Sequence, residues 1–283
     1  MIELDVTAGD GRTLHVYDTA PDGDGRLPVV WHHGTPNLGA PPEPLFAAAE
    51  RLGLRWVSFD RPGYGGSTVA PGRTVASVAG DVAAIADALG LGRFAVVGYS
   101  GGGTYALGTA AALGDRVAGV VTLAAIAPYG AEGLDWFAGM VPSGVAALGT
   151  AAAGRPVRAA LEASGFAYDS QFTAADLTVF EGPWGWLGKV AGPALDAGPF
   201  GQIDDDVSYT LPWGCDPAAI AAPVLLLHGT EDRIIPASHG SWLAANCPNA
   251  ELRRCAGDSH FTIVTHAEPG LEWLRETATM RGR

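Results

Sequence analysis

Short apolar runs alternate with amphipathic stretches through the first half of the chain. Residues 14–17 and 28–32 read as strands, 43–52 as a helix and 54–59 as a strand. Between Val75 and Leu89 the apolar residues Val78, Val82, Ile85 and Leu89 recur at spacings of four, three and four, which is one face of a helix. A strand over 93–97, a helix over 104–113 and a strand over 117–123 follow. This alternation predicts βα units on a mostly parallel sheet.

The rhythm breaks between Pro128 and Asp216. That stretch holds no apolar strand run, only short helical segments over 134–140, 157–163 and 174–180, punctuated by Gly and Pro. The strand pattern resumes over 223–228, followed by a helix at 238–246, a strand at 251–254 and a last helix at 269–279. The fold class is therefore α/β. Its core comprises residues 1–127 and 217–283, and residues 128–216 form a helical cap inserted between two sheet strands. No internal repeat is visible.

Charge narrows the function. The net charge of −13 leaves no basic face to neutralise phosphates, which argues against nucleic acid, and no polybasic patch for an anionic membrane surface. The insertion carries eleven acids against three bases, a net −8. Its Asp204-Asp205-Asp206 run is expected to be a solvated loop, and an acidic lid would disfavour anionic substrates. No uncharged apolar stretch reaches the ~18–20 residues of a membrane span, and the Ala/Gly-rich run 140–154 is too short and carries Pro142. The first residues have no basic or apolar signal region. Cys215, Cys247 and Cys255 form no C-x-x-C pair, so no metal site and no disulfide framework is expected, and free thiols suit a reducing compartment. The expectation is a cytoplasmic protein, monomer or homodimer, that needs no cofactor and acts on a small molecule.

The most informative segment is Phe94-Ala95-Val96-Val97-Gly98-Tyr99-Ser100-Gly101-Gly102-Gly103. An apolar strand runs into Gly-x-Ser-x-Gly and out into a helix. A sharp strand-to-helix turn leaves no room for side chains at Gly98 and Gly102, and it exposes the Ser100 hydroxyl at a helix N-terminus. A serine at its ordinary pKa is a poor nucleophile; it needs a base, and the base needs an orienting carboxylate. His228-Gly229-Thr230-Glu231-Asp232 follows the strand at 223–228 and supplies Asp232, with Glu231 as its adjacent competitor and a turn-capping role as the plainer alternative. Gly257-Asp258-Ser259-His260 follows the next strand and supplies His260 as base. Of the other histidines, His15 lies in an early strand, His239 and His266 at helix surfaces or entries, and His228 at a strand end with a structural hydrogen bond. Two backbone donors are needed for an oxyanion. Gly101 follows the nucleophile. Thr35, in His33-Gly34-Thr35-Pro36, is the second, because Pro36 has no N–H.

Together with Asp60-Arg61-Pro62-Gly63-Tyr64-Gly65-Gly66-Ser67, these segments resemble the α/β-hydrolase superfamily over nearly the whole chain. They are most similar to its capped branch of esterases, prolyl aminopeptidases, epoxide hydrolases and haloalkane dehalogenases. The resemblance implies a mostly parallel eight-stranded sheet flanked by helices, with the cap between its sixth and seventh strands. Epoxide hydrolases and dehalogenases of this fold use aspartate at the elbow, and position 100 is serine, which sets those activities aside. Prolyl aminopeptidases usually read His-Gly-Gly-Pro-Gly where this chain has Thr35-Pro36-Asn37, although Glu181 beside Trp184 and Trp186 offers a partner for a substrate amine. The expected activity is hydrolysis of a small or medium, mostly apolar carboxylic ester through Ser100, Asp232 and His260. The alternatives are amide hydrolysis, acyl transfer in a biosynthetic pathway, and a non-catalytic receptor on the same fold. Trp136, Phe137, Met140, Phe172, Phe180, Trp184, Trp186, Phe200 and Trp213 are the pocket candidates in the cap, though most such residues pack a cap onto its core.

Overall fold

A computed structural model describes residues 1–23, 25–169 and 172–280. The chain runs through β1 (Ile2–Thr7), β2 (Thr13–Asp18), β3 (Leu27–His32), α1 (Phe46–Leu52), β4 (Leu54–Phe59), α2 (Val75–Ala88), β5 (Phe94–Tyr99), α3 (Gly101–Leu113) and β6 (Val117–Leu123). Then come α4 (Pro142–Ala152), α5 (Arg155–Ala163), α6 (Ala174–Glu181), α7 (Trp186–Ala191) and α8 (Phe200–Thr210). It ends with β7 (Val224–Gly229), α9 (Ala237–Asn246), β8 (Ala250–Cys255) and α10 (Ala267–Met280).

The strands form one eight-stranded sheet in the order β1-β2-β4-β3-β5-β6-β7-β8. Only the β1–β2 and β2–β4 pairings are antiparallel. Alternate side chains of the inner strands enter two cores. Val30, Val57 and Val96 face α2 and α3, while Val29, Trp31, Trp56 and Val97 face α1 and α10. Strands covered on both faces read as continuous apolar runs, which is why they are visible in the sequence. β1 was not expected: it is an edge strand with only Val6 buried, so it carries no apolar signature.

Local chemistry sets the helix ends. Thr74 caps α2 in a capping box, accepting from the Ser77 amide at 3.2 Å while the Ser77 hydroxyl accepts from the Thr74 amide at 2.9 Å. The helix expected over 134–140 is instead a series of turns, because Gly139 sits at φ +90°. Helices α4 and α8 lie where none was expected.

Chain order places the reactive end of the sheet. From β3 the chain steps outward to β4, returns across to β5, then proceeds outward the other way. The β3–β5 seam is thus the topological switch point, and the loops beyond its carboxyl ends are where open α/β sheets bind ligands. Thr35 follows β3, Ser100 follows β5, and His32 pairs with Gly98 across the seam.

Candidate active site

Ser100 occupies the tip of the β5–α3 turn at φ 57°, ψ −131°, a conformation a side-chain-bearing residue rarely adopts. The surroundings hold it there. Its amide donates to the Leu123 carbonyl at 2.7 Å, and its carbonyl accepts from the Gly103 amide at 2.8 Å. A Cβ at Gly98 would lie 2.3 Å from the Gly102 carbonyl oxygen, and one at Gly102 would lie 2.1 Å from that of His32. Only glycine permits this turn.

The loop after β8 brings His260 to the serine. His260 Nε2 lies 2.9 Å from Ser100 Oγ, and its Nδ1 lies 2.8 Å from Asp232 Oδ2. Asp232 also caps its own turn: Oδ1 accepts from the Ile234 and Ile235 amides at 2.9 and 2.8 Å. One oxygen thus fastens the turn and the other faces the imidazole. Glu231 is exposed, and Asp258 pairs with His266 at 2.7 Å. His228 Nε2 bonds the Ile235 carbonyl at 2.7 Å, and burial lowers its pKa. His239, expected at a helix surface, is fully buried, with its ring nitrogens on the Ala127 amide and the Trp136 carbonyl; burial pushes it down to about 4.

Thr35 and Gly101 line the same cavity as Ser100 and His260, and among the described residues neither amide donates a hydrogen bond. The loop carrying Thr35 is clamped from behind. The Arg61 guanidinium donates to the carbonyls of His33 and Gly34, and the Arg61 amide donates to His33 Nε2 at 3.0 Å. Burial and the Arg61 charge keep His33 neutral, so one nitrogen accepts while Nδ1 donates to the Gly34 carbonyl at 2.8 Å. Asp60 accepts from the Gly39 and Gly66 amides. These bonds are the physical content of the Asp-Arg-Pro-Gly-Tyr segment.

Asp204-Asp205-Asp206 is not a solvated loop: all three residues lie in α8 and are buried. Burial is possible because arginines meet them. Asp205 receives the Arg61 guanidinium at 2.7 Å, Arg73 at 2.7 Å, and the hydroxyls of Thr35, Tyr64 and Tyr105 at 2.6–2.8 Å. Although burial opposes it, the two guanidinium charges hold this carboxyl far below the usual range. Asp204 pairs with Arg155 at 2.5 Å and Asp206 with Arg158 at 2.8 Å. This run is therefore part of internal ion pairs and not of an acidic screen.

The cavity over Ser100 measures about 640 Å³. Its apolar wall includes Ile126, Leu148, Phe172, Leu187, Ile235 and Phe261, and its polar wall Glu162, Tyr168, Gln202, Asp206 and Tyr209. Of the nine pocket candidates, Phe172 alone lines it. Trp136, Phe137 and Met140 pack into the core on one face of the sheet, and Phe180, Trp184 and Trp186 into the core on the other. The Trp136 indole is further fixed by its 2.8 Å bond to the Ala127 carbonyl. These six fasten the insertion down, and the insertion's aromatics that reach the cavity are Phe166, Tyr168, Phe172 and Tyr209. Glu181 is exposed and outside the cavity wall. The part of the polar wall on α8 was missed because α8 was missed, yet Gln202, Asp206 and Tyr209 stand at i, i+4 and i+7, the spacing of one helical face.

The three cysteines are free thiols, and burial pushes Cys215 up to about 11 and Cys247 up to about 12. Cys255, Asp258 and His266 place ligand-type atoms within 4.8 Å of one another, a grouping that cysteine spacing did not announce. No helix among the described residues is long and apolar enough to cross a membrane.

Residues 28–267 match the family described as alpha/beta hydrolase fold. A non-heme chloroperoxidase of Streptomyces lividans is 32% identical, covering 93% of this chain and 95% of its own. A 2-hydroxy-6-oxononadienedioate/2-hydroxy-6-oxononatrienedioate hydrolase of Burkholderia vietnamiensis is 30% identical, covering 92% and 89%. Among solved structures, a bromoperoxidase from Bacillus anthracis superposes with a TM-score of 0.73 at 24% identity, over 98% of this chain and all of the other. An esterase from Exiguobacterium antarcticum gives 0.70 at 22%, with the same coverage. At such identities the superpositions speak to the fold alone.

Proposed function

Since the chain belongs to the alpha/beta hydrolase family, we propose that it is a serine hydrolase cleaving a small or medium carboxylic ester through an acyl-enzyme on Ser100. One observation carries this reading: the unbroken hydrogen-bonded line from Ser100 Oγ to His260 Nε2 and from His260 Nδ1 to Asp232 Oδ2, at 2.9 and 2.8 Å. Residues 128–216 act as the cap that roofs the cavity.

Ser100 Oγ attacks the acyl carbon as His260 Nε2 takes its proton. Asp232 holds the proton on Nδ1, which leaves Nε2 free to accept, and it stabilises the imidazolium that forms. The Thr35 and Gly101 amides receive the oxyanion, aided by the N-terminus of α3. His260 then protonates the leaving alkoxide. Water, deprotonated by His260, attacks the acyl-enzyme, and the C–O bond to Ser100 breaks to give the acid. The apolar wall suits an acyl chain or an apolar alcohol portion.

Replacing Ser100 by Ala is expected to lower turnover of short p-nitrophenyl esters at least ~10⁴-fold and to abolish labelling by a fluorophosphonate. Undiminished turnover in that variant would end the proposal.

A second acyl acceptor is favoured by the chloroperoxidase likeness. Hydrogen peroxide in place of water would attack the same acyl carbon, break the same bond to Ser100 and release a peroxy acid. Halide oxidation by the wild-type chain with acetate and peroxide, absent in Ser100→Ala, distinguishes this from oxidation that does not use the serine.

A further inference from the structure

Helix α8 crosses the cavity with an unusual surface. Its residues from Gly201 to Thr210 are buried, yet Gln202, Asp206 and Tyr209 are polar and all three line the cavity. On a helix these positions form one stripe, with Asp206 ~4.5 Å and Gln202 ~10.5 Å along the axis from Tyr209.

Tyr209 marks the reactive end. A Cβ at Gly101 would lie only 1.9 Å from its hydroxyl, so that oxygen rests against the residue after the nucleophile. The hydroxyl is 2.7 Å from Thr35 Oγ1, which gives its own proton to Asp205 at 2.6 Å. Tyr209 therefore donates to Thr35. Its place is fixed, and it supplies an origin from which to measure along the helix.

One turn away, Asp206 is incompletely satisfied. Oδ2 accepts from Arg158 Nε at 2.8 Å, but Oδ1 has no hydrogen-bond partner among the described residues. The residue is only 8% exposed. Its Oδ1 is nevertheless absent from the fully occluded polar atoms that lack partners, so the oxygen is accessible to the cavity space. An acceptor left without a partner in a largely desolvated place costs free energy unless a ligand meets it. Arg158 is fully buried and committed: besides Asp206 it bonds Glu162 and the Tyr168 hydroxyl at 2.8 and 2.7 Å. One cation thus faces two carboxylates, Asp206 and Glu162, and the local balance is negative. Gln202, a turn further on, donates to the Tyr168 hydroxyl at 3.3 Å, and its carbonyl oxygen is a second unpartnered acceptor among the described residues.

We propose that α8 is a polar rail that recognises a hydrogen-bond-donating group, ammonium in preference to hydroxyl, carried by the substrate one to two helical turns from the reacting carbonyl. The inference rests on the serine-hydrolase reading and deepens it: the ester is apolar where it crosses Ile126, Leu148 and Phe172, and bears its donor where it meets Asp206 and Gln202. A carboxylate at that position is rejected by like charge. Burial, opposed by Arg158 and assisted by Asp205 and Glu162, pushes the Asp206 carboxyl up to about 6, so it is mainly ionised at neutral pH.

The experiment compares p-nitrophenyl esters of equal chain length ending in methyl, hydroxyl and ammonium (heptanoate, 6-hydroxyhexanoate and 6-aminohexanoate) with the adipate half-ester, and repeats the comparison with acetates of the matching alcohols. Each kcat/KM is divided by that of the methyl isostere in the same variant, so any general loss cancels. In at least one series the wild type is expected to favour ammonium roughly tenfold or more, hydroxyl by less, and carboxylate least; tenfold corresponds to about 1.4 kcal/mol. Asp206→Asn is expected to lower the ammonium preference about tenfold and that for hydroxyl by less, since the amide oxygen stays on Arg158 Nε and the NH₂ it turns to the cavity can donate to a hydroxyl but not to an ammonium. Gln202→Met should lower the donor preferences without inverting their order. Should methyl isosteres be preferred in both series while a fluorophosphonate still labels Ser100, the rail is overturned and the hydrolase reading stands. Loss of Ser100 labelling in the wild type overturns both.

Discussion

Asp232 shows how much one side chain is asked to do. Oδ1 binds two backbone amides of its own turn, and Oδ2 alone faces His260. This asymmetry gives Asp232→Asn a sharp expectation. The amide oxygen can keep the Ile234 and Ile235 donors, which turns its NH₂ toward His260 Nδ1. That nitrogen must then accept, the ring proton moves to Nε2, and Nε2 can no longer take the proton of Ser100. Turnover should fall about 10⁴-fold with the unfolding midpoint little changed. A variant within tenfold of the wild type would remove Asp232 from the machinery. Residues of this kind were legible in the sequence because their jobs restrict their neighbours. Ser100 needs glycines on a turn with no space, and the acid and base follow strand ends where loops carry chemistry. The cavity-lining side chains have no such neighbours. Trp136 and Trp186 drew attention by size, but size in an insertion more often serves to anchor it, and both are nearly fully buried in the sheet's two cores.

Helix α8 is the element whose aspartate run masks its helical spacing. Phe200, Ile203 and Val207 stand at i, i+3 and i+7, an apolar stripe, but the polar residues between them are buried as well from Gly201 to Thr210, so the polar face is not the solvated one that marks a surface helix. Its stability comes instead from arginines far along the chain, Arg61 and Arg73 in the core segments and Arg155 and Arg158 on α5. A run of three aspartates reads as a solvated loop only until those partners are known. α4 escaped for a different reason: its Ala and Gly residues carry little contrast of any kind. Because Asp205 neutralises two buried guanidinium groups, Asp205→Ala leaves Arg61 without a carboxylate and Arg73 with Asp204 at 3.7 Å. A loss on the order of 3–5 kcal/mol in unfolding free energy is expected, with a fall in kcat through the loosened Thr35 loop. Arg51→Ala, which removes an exposed ion-pair group from Glu268 and Glu272, should leave the denaturant midpoint nearly unchanged. Equal shifts in the two variants, measured by urea unfolding, would contradict a clamping role for Asp205.

At the scale of the molecule, three of the insertion's eleven acids, Asp204, Asp205 and Asp206, are spent on internal pairs with arginines. Those pairs also tie the insertion to the sheet, because Arg61 and Arg73 follow β4 while their partners lie on α8. Internal carboxylates make stability depend on pH, and two neighbours pull in opposite directions. Asp205 is held low in the folded state, so the stability it confers is present above the ordinary carboxylate pKa near 4 and drains away as the pH drops through the depressed folded value. Asp206 is raised to about 6, so between pH 4 and 6 the folded chain holds more of this proton than the unfolded chain does. Across that window the Asp206 contribution makes stability decline as pH rises, and above pH 6 the full cost of a buried carboxylate remains. An Asn at 206 has no proton to exchange. The difference in unfolding free energy between wild type and Asp206→Asn should therefore drift by on the order of 2 kcal/mol from pH 4 to 6.5, with the wild type losing ground. Differencing the two proteins cancels the groups that do not interact with Asp206 and leaves it with its coupled neighbours Arg158, Asp205 and Glu162. Urea titrations at half-unit intervals read the drift directly, and two parallel curves would mean that Asp206 is as freely ionised in the folded protein as in water.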